Sequence, residues 1–146
     1  MTPVAHDDLD GLSDEWIDRI FATNWRGAFA SIRALEPLLK ESDGGTVVNI
    51  SSIAGTTGVG SNVAYCASKA AIDSMTVSLA KVLAPEIRVI SLAPGLVDGD
   101  YARSFDPAWR QAQIDATPLK RLADPEDVGA TAVAVVAYML HSTGCV

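Results

Sequence analysis

The sequence lacks most of the features that would place it outside ordinary globular chains. Its two cysteines, Cys66 and Cys145, cannot build a disulfide framework. No CxxC or HxxxH spacing exists, so neither is read as a metal pair with His6 or His141. Basic residues are scarce: 11 Lys and Arg face 18 Asp and Glu, a formal charge of −7, which excludes a nucleic-acid binder that neutralises phosphates. No apolar run is long enough for a membrane span. The stretch from Val128 to Leu140 is the longest, is interrupted by Gly129 and Thr131, and falls short of the roughly 18 residues needed. No basic segment followed by an apolar one opens the chain, so no secretory signal is read and a cytoplasmic setting is expected. A serine hydrolase using Ser52 or Ser61 is a poor reading, because no Gly-x-Ser-x-Gly elbow is present.

What is there suits one packed domain spanning 1–146. Apolar residues make up 49% and charged residues 20%, which excludes a disordered tail. Asp7, Asp8, Asp10, Asp14, Glu15 and Asp18 crowd the start; they read as a solvated loop and the acidic first turn of a helix. Ser13 is its N-cap, and Trp16, Ile17, Ile20, Phe21, Trp25, Phe29, Ile32, Leu35 and Leu39 carry the helical spacing to about Lys40, with Gly27 a soft spot. Ser42-Asp43-Gly44-Gly45 is turn chemistry.

Thr46 to Ser51 is β-branched and almost continuously apolar, as in a parallel strand covered on both faces. A small, Gly-rich loop reaches Asn62, a helix spans about Val63 to Leu83, and Ile87 to Leu92 reads as a second strand. Beyond Ala93-Pro94-Gly95, the stretch from Asp98 to Asp106 is polar and irregular. Helices capped by Asp106 and Asp124 then start at Pro107 and Pro125, and Ser142 to Val146 looks like the entry to another strand. Helices alternating with parallel strands define an α/β layered fold.

The chemistry gathers at the carboxyl ends of the strands, where α/β folds place their sites. Ser52 follows the first strand. Tyr65 and Lys69 share a helix face at i, i+4 spacing. A free phenol titrates near ~10, too high for a base at neutral pH, and a nearby cation favours its ionised form. Lys69 is therefore expected to tune Tyr65 for acid/base work while Ser52 polarises a carbonyl.

The set Asn24, Val48-Asn49-Ile50-Ser51-Ser52, Tyr65-Cys66-Ala67-Ser68-Lys69 and Ala93-Pro94-Gly95-Leu96-Val97, with Arg121 and Pro125-Glu126-Asp127-Val128, resembles the short-chain dehydrogenase/reductase family. The resemblance is strongest to 3-oxoacyl-carrier-protein reductase-like members and runs through nearly the whole chain. It implies a Rossmann-like, doubly wound parallel sheet and an NAD- or NADP-dependent oxidoreductase acting on a small alcohol or carbonyl. It also implies a homo-oligomer, dimer or tetramer.

By the same resemblance, Tyr65 is the acid/base residue, Ser52 orients the substrate, and Lys69 holds the nicotinamide ribose. Asn24 kinks its helix so that a backbone carbonyl holds a relay water, and Pro94, Gly95 and Val97 border the nicotinamide. The segment from Asp98 to Asp115 is the substrate lid.

The sequence also departs from the family pattern. The opening strand and Gly-rich pyrophosphate turn are missing, so the expectation is a truncated domain, the catalytic half, that starts where the dinucleotide-binding half stops. Its end falls inside the last strand. Gly58-Val59-Gly60 is the nearest imitation of the turn and reads as loop flexibility. Gly99 stands where many relatives carry a Thr that contacts the carboxamide. Without its central neighbour, the Thr46 to Ser51 strand is expected to expose an edge. The alternative to an active oxidoreductase is thus a non-catalytic remnant that keeps the family's subunit-association helices.

Overall fold

The computed structural model describes residues 5–42 and 44–146; Asp43 of the expected turn lies outside the described residues. The chain forms two compact units, one comprising the residues up to Ala93 with His141–Val146, the other Pro94–Leu140.

The first unit opens with α1 (Asp14–Phe21), capped by Ser13, whose hydroxyl accepts from the Trp16 amide. A five-residue π-turn, Ala22–Arg26, follows without a break, and α2 (Gly27–Glu41) continues the rod. The irregularity expected at Gly27 is therefore upstream of it; Gly27 itself is an ordinary helical residue with φ −60°. Strand β1 (Gly45–Ile50), the four-residue α3 (Ala54–Thr57), the long α4 (Val63–Leu83) and β2 (Ile87–Leu92) complete the unit. The short α3 lies inside the segment read as loop.

β1 and β2 are parallel, in register from Gly45 opposite Ile87 to Ile50 opposite Leu92, and form a two-stranded sheet among the described residues. The Gly45 amide bonds Glu86 O and the Ser51 amide bonds Leu92 O, so the backbone groups of Gly45, Val47, Asn49 and Ser51 face β2. Those of Thr46, Val48 and Ile50 then face the other edge, where no strand pairs among the described residues. The last residues run along the opposite side of β2: the Gly144 amide donates to Val89 O, the Ser91 amide to Cys145 O, and the Val89 amide to the Thr143 hydroxyl. The expected strand entry thus makes ladder-like bonds without becoming a strand.

The core lies where α2 and α4 cover one face of the sheet. Ile32, Met75, Ala80, Leu83, Ile87 and Val89 are buried together, with Trp25, Phe29, Leu39, Val47 and Leu79 packed around them. Parallel strands need such cover, and the alternation along β2 explains it: Ile87 and Val89 point at the helices while Arg88 between them reaches the Thr46 hydroxyl.

The second unit holds α5 (Asp100–Arg103), α6 (Pro107–Ala116) and α7 (Pro125–Tyr138). Asp106 caps α6 and Asp124 with Asp127 forms a capping box on α7. Arg121 ties into that box through Asp127 at 2.6 Å, which gives the Arg121 and Pro125-Glu126-Asp127-Val128 pattern a structural purpose. Tyr101 meets Phe105 edge to face and Phe105 meets Trp109 at a tilt, with ring centroids 4.8 and 4.5 Å apart.

Asp98 anchors this unit by pairing with Arg110 at 2.6 Å and Arg103 at 3.3 Å. The hydrogen bond from Arg110 holds its carboxyl below the ordinary value of 3.8, helped by the charges of Arg110 and Arg103. A depressed carboxylate stabilises the fold above its unfolded pKa and loses that effect as pH falls through the folded one. Asp98→Asn is therefore expected to melt earlier than the parent protein at neutral pH, with a gap that persists down to pH 3.8 and closes below it. Thermal melts followed by circular dichroism across that range check this; a gap indifferent to acid would show that the pairs contribute nothing.

Among the described residues, no helix is long and apolar enough to cross a membrane, and no group of His, Cys, Asp or Glu could hold a metal ion.

Candidate active site

Asn49, Ile50, Ser51 and Ser52 carry the chain from β1 to the turn before α3, and three of them bond to α4. The Asn49 amide donates to the buried Thr76 hydroxyl at 2.8 Å, the Ser51 hydroxyl to Lys69 O at 3.1 Å, and the Lys69 ammonium to Ile50 O at 2.9 Å. Lys69 is thereby held at the carboxyl end of β1, with its nitrogen 5.7 Å from the centroid of the Tyr65 ring. Ser52 follows two residues after Ile50; its Oγ accepts from the Ala54 amide at 3.2 Å, which leaves the hydroxyl proton to donate elsewhere.

Tyr65 sits in the first turn of α4, where the Asn62 side chain caps the helix by accepting from the Tyr65 amide at 2.8 Å. Two glycines shape the approach to it. Gly58 ends α3 at φ +69°, a conformation that L side chains rarely adopt. Gly60 lies so close that a Cβ would come within 2.9 Å of Cys66 Sγ and 3.1 Å of the Tyr65 ring. The loop glycines, read as flexibility, instead allow a turn and a close approach. Burial pushes the Cys66 thiol pKa up, so it stays protonated and is no nucleophile at neutral pH.

Asn24 is at the centre of the π-turn, and its amide donates to the Ser68 hydroxyl at 2.9 Å, which in turn donates to Tyr65 O at 2.7 Å. The wide turn shifts the backbone bonding of the helix at that residue, and such bulges recur at functional sites. Asn24 and Tyr65 also line one open cavity of about 260 Å³ with Trp16, Arg19, Ile20, Thr23 and Ser61. Ser68, fully buried between them, was missed by the sequence reading although it lies inside Tyr65-Cys66-Ala67-Ser68-Lys69.

Lys69 is the electrostatically unusual member. Burial lowers its pKa below the ordinary lysine value, and the Asp73 carboxylate one turn further along α4 opposes that shift. A half-buried amine of this kind holds its proton less firmly than a surface lysine.

Four of the expected site residues, Asn24, Ser52, Tyr65 and Lys69, thus belong to the first unit. Pro94, Gly95 and Val97 open the second unit directly after β2. There Val97 forms a parallel bridge with Ala123, and its carbonyl accepts from the Gly99 amide at 2.8 Å.

Residues 1–141 match a family model described as enoyl-(acyl carrier protein) reductase. A short-chain dehydrogenase/reductase homolog of Bacillus subtilis is 42% identical over 103 residues, covering 70% of this chain and 79% of that protein. Among solved structures, a 3-oxoacyl-[acyl-carrier protein] reductase from Brucella melitensis superposes with a TM-score of 0.89 at 31% identity, over 97% of this chain and 56% of the other. A second such reductase from the same organism, solved with bound NAD, gives 0.87 at 30% identity, over 99% and 54%. The chain therefore spans little more than half the length of either solved relative.

Proposed function

This chain belongs to the short-chain dehydrogenase/reductase family, and on that premise we propose that it is the catalytic portion of an NAD(P)-dependent oxidoreductase interconverting an alcohol and a carbonyl. The observation that carries the reading is the Lys69 ammonium, bonded to Ile50 O at the end of β1 and set 5.7 Å from the Tyr65 ring centroid.

In the reductive direction Tyr65 donates its hydroxyl proton to the carbonyl oxygen, and in the oxidative direction the phenolate takes it back. The Ser52 hydroxyl, with its proton free, orients the substrate oxygen. Asn24, locked to α4 through Ser68, keeps the π-turn in place so that its backbone can hold a water for proton exchange with Lys69. A bound nicotinamide supplies or accepts the hydride.

The residues present fit one end of such a cofactor. Lys69 spends one of its three N–H donors on Ile50, leaving two for a ribose hydroxyl. For the pyrophosphate end the fit fails among the described residues. The N-termini of α1, α4, α6 and α7 are each occupied by a cap from the chain itself, Ser13, Asn62, Asp106 and Asp124, and two of these caps are anionic. The second reading is a non-catalytic remnant that keeps the association helices. Under either reading the chain is taken as one partial domain, and as a cytoplasmic homo-oligomer.

Titration with NADH and NADPH separates the two readings. Saturable fluorescence change at micromolar cofactor is expected for the oxidoreductase; a featureless titration would overturn it in favour of the remnant.

A further inference from the structure

The open cavity of about 260 Å³ beside Tyr65 has a one-sided chemistry. α1 gives it Trp16, Arg19 and Ile20, the π-turn gives it Thr23, and the loop before α4 gives it Ser61. Arg19 lies over Trp16, its guanidinium carbon 5.3 Å from the ring centroid. A contact with a ring spends none of the five N–H donors of a guanidinium, and none of them has an acceptor among the described residues. The Thr23 and Ser61 hydroxyls are likewise without a hydrogen-bond partner among the described residues. Asn24, which also borders the cavity, has by contrast given an amide hydrogen to Ser68.

A guanidinium can only donate, and its planar fork matches the two oxygens of a carboxylate. The complement to this wall is therefore an anion. The chain's own acids do not supply it. Asp14, Glu15 and Asp18 of α1 are exposed and border no part of the cavity. Glu15, one turn before Arg19 at a spacing where ion pairs form, makes none with it among the described residues.

The wall is also preformed. Ser61 is held from both sides: the His6 ring donates to Gly60 O at 3.2 Å, and the Asn62 side chain accepts from the Tyr65 amide. Trp16 and Ile20 make the rest of the lining aromatic and aliphatic, a surface that inorganic phosphate would leave unused and an organic acid would cover. The volume lies just under the ~300–1,000 Å³ range of sites for drug-sized ligands, so it suits a single ring or short chain and not a nucleotide.

We propose that this cavity binds a small organic carboxylate, its acid group engaging Arg19 with Thr23 and Ser61 and its compact apolar body covering Trp16 and Ile20. The assignment holds whether the chain is an oxidoreductase or a remnant, and its test needs neither cofactor nor turnover.

Benzoate, ionised at neutral pH, is the probe. Calorimetric titration of the full chain with benzoate is expected to saturate in the millimolar range or below. Benzamide, which keeps the ring without the charge, and inorganic phosphate, which keeps charge without the ring, should each bind at least tenfold more weakly. Arg19→Gln, a substitution between residues of similar helix propensity, should weaken benzoate at least tenfold. Benzamide or phosphate equal to benzoate, an unchanged affinity in Arg19→Gln, or a benzoate titration without saturation overturns the proposal.

Should that variant fail to fold by circular dichroism, the parent protein still decides the question. Benzoate should shift the indole N–H resonance of Trp16 and leave that of Trp109, in the second unit, in place. A Trp16 resonance that moves no further than that of Trp109 overturns the proposal. Absence of dehydrogenase turnover, by contrast, bears on the oxidoreductase reading and leaves these results unchanged.

Discussion

Tyr65→Phe is expected to lower carbonyl-reducing turnover by about 10²–10⁴-fold, the contribution usual for a positioned general acid. The variant removes one oxygen and keeps the ring, so the contact with Gly60 and the Lys69 ammonium over the aromatic face are preserved. Among the described residues no hydrogen bond of the fold depends on that hydroxyl: Tyr65 contributes its amide to the Asn62 cap and its carbonyl to Ser68, both backbone groups. The melting temperature should therefore stay within the spread of a neutral substitution while kcat collapses. Steady-state kinetics with reduced cofactor, beside a thermal melt, gives both numbers. Turnover that survives the substitution would remove Tyr65 from the chemistry, and a large loss of stability would recast it as a packing residue.

The largest effect on the fold should come from Ile87→Ala. Ile87 is completely inaccessible, at the start of β2 and inside the cluster shared with Met75, Leu83 and Val89. Truncating a buried isoleucine costs about 2–5 kcal/mol, because the packing contacts are lost and the surroundings only partly collapse. Against a total stability of about 5–15 kcal/mol for ordinary domains, that is a major fraction. A urea titration should show a sharply lower midpoint. Val82→Ala, on the exposed face of α4 at 71% accessibility, serves as the reference and should change stability by no more than about 0.5 kcal/mol. Equal midpoints for the two variants would mean that this cluster is not the core of the first unit.

Much of the architecture was legible in the sequence because it rests on long, regular signals. α4 was read as Val63 to Leu83 and β2 as Ile87 to Leu92, and both bounds match. The caps of α6 and α7 were equally plain, since an aspartate before a proline at the first helical position has little other use. β1 was displaced by one residue. The failures are those of short-range signals and of contacts between elements. A four-residue helix such as α3 spans barely one turn and has no periodicity to detect. The π-turn adds one residue to a turn without any change of composition, so helical spacing marks only Gly27 as a soft spot, whereas the family resemblance puts the kink at Asn24, the centre of the π-turn.

The candidate site divides the same way. Tyr65 and Lys69 lie on one helix face by spacing alone. That Lys69 is held by a backbone carbonyl of β1, Asn24 by Ser68, and Asp73 by Ser91 depends on which residues of different elements face each other. Ser68 and Asp73 carried a faint signal in retrospect, as polar residues on the buried stripe of α4. Ser91, in an otherwise apolar strand, carried another.

The return of the last six residues to the outer side of β2 has a consequence for synthesis on the ribosome. The bonds that Val89 and Ser91 make with Thr143, Gly144 and Cys145 close only after all of α5, α6 and α7 has been made and residues 143–145 have cleared the exit tunnel. Through that interval the nascent first unit waits with one flank of β2 bare.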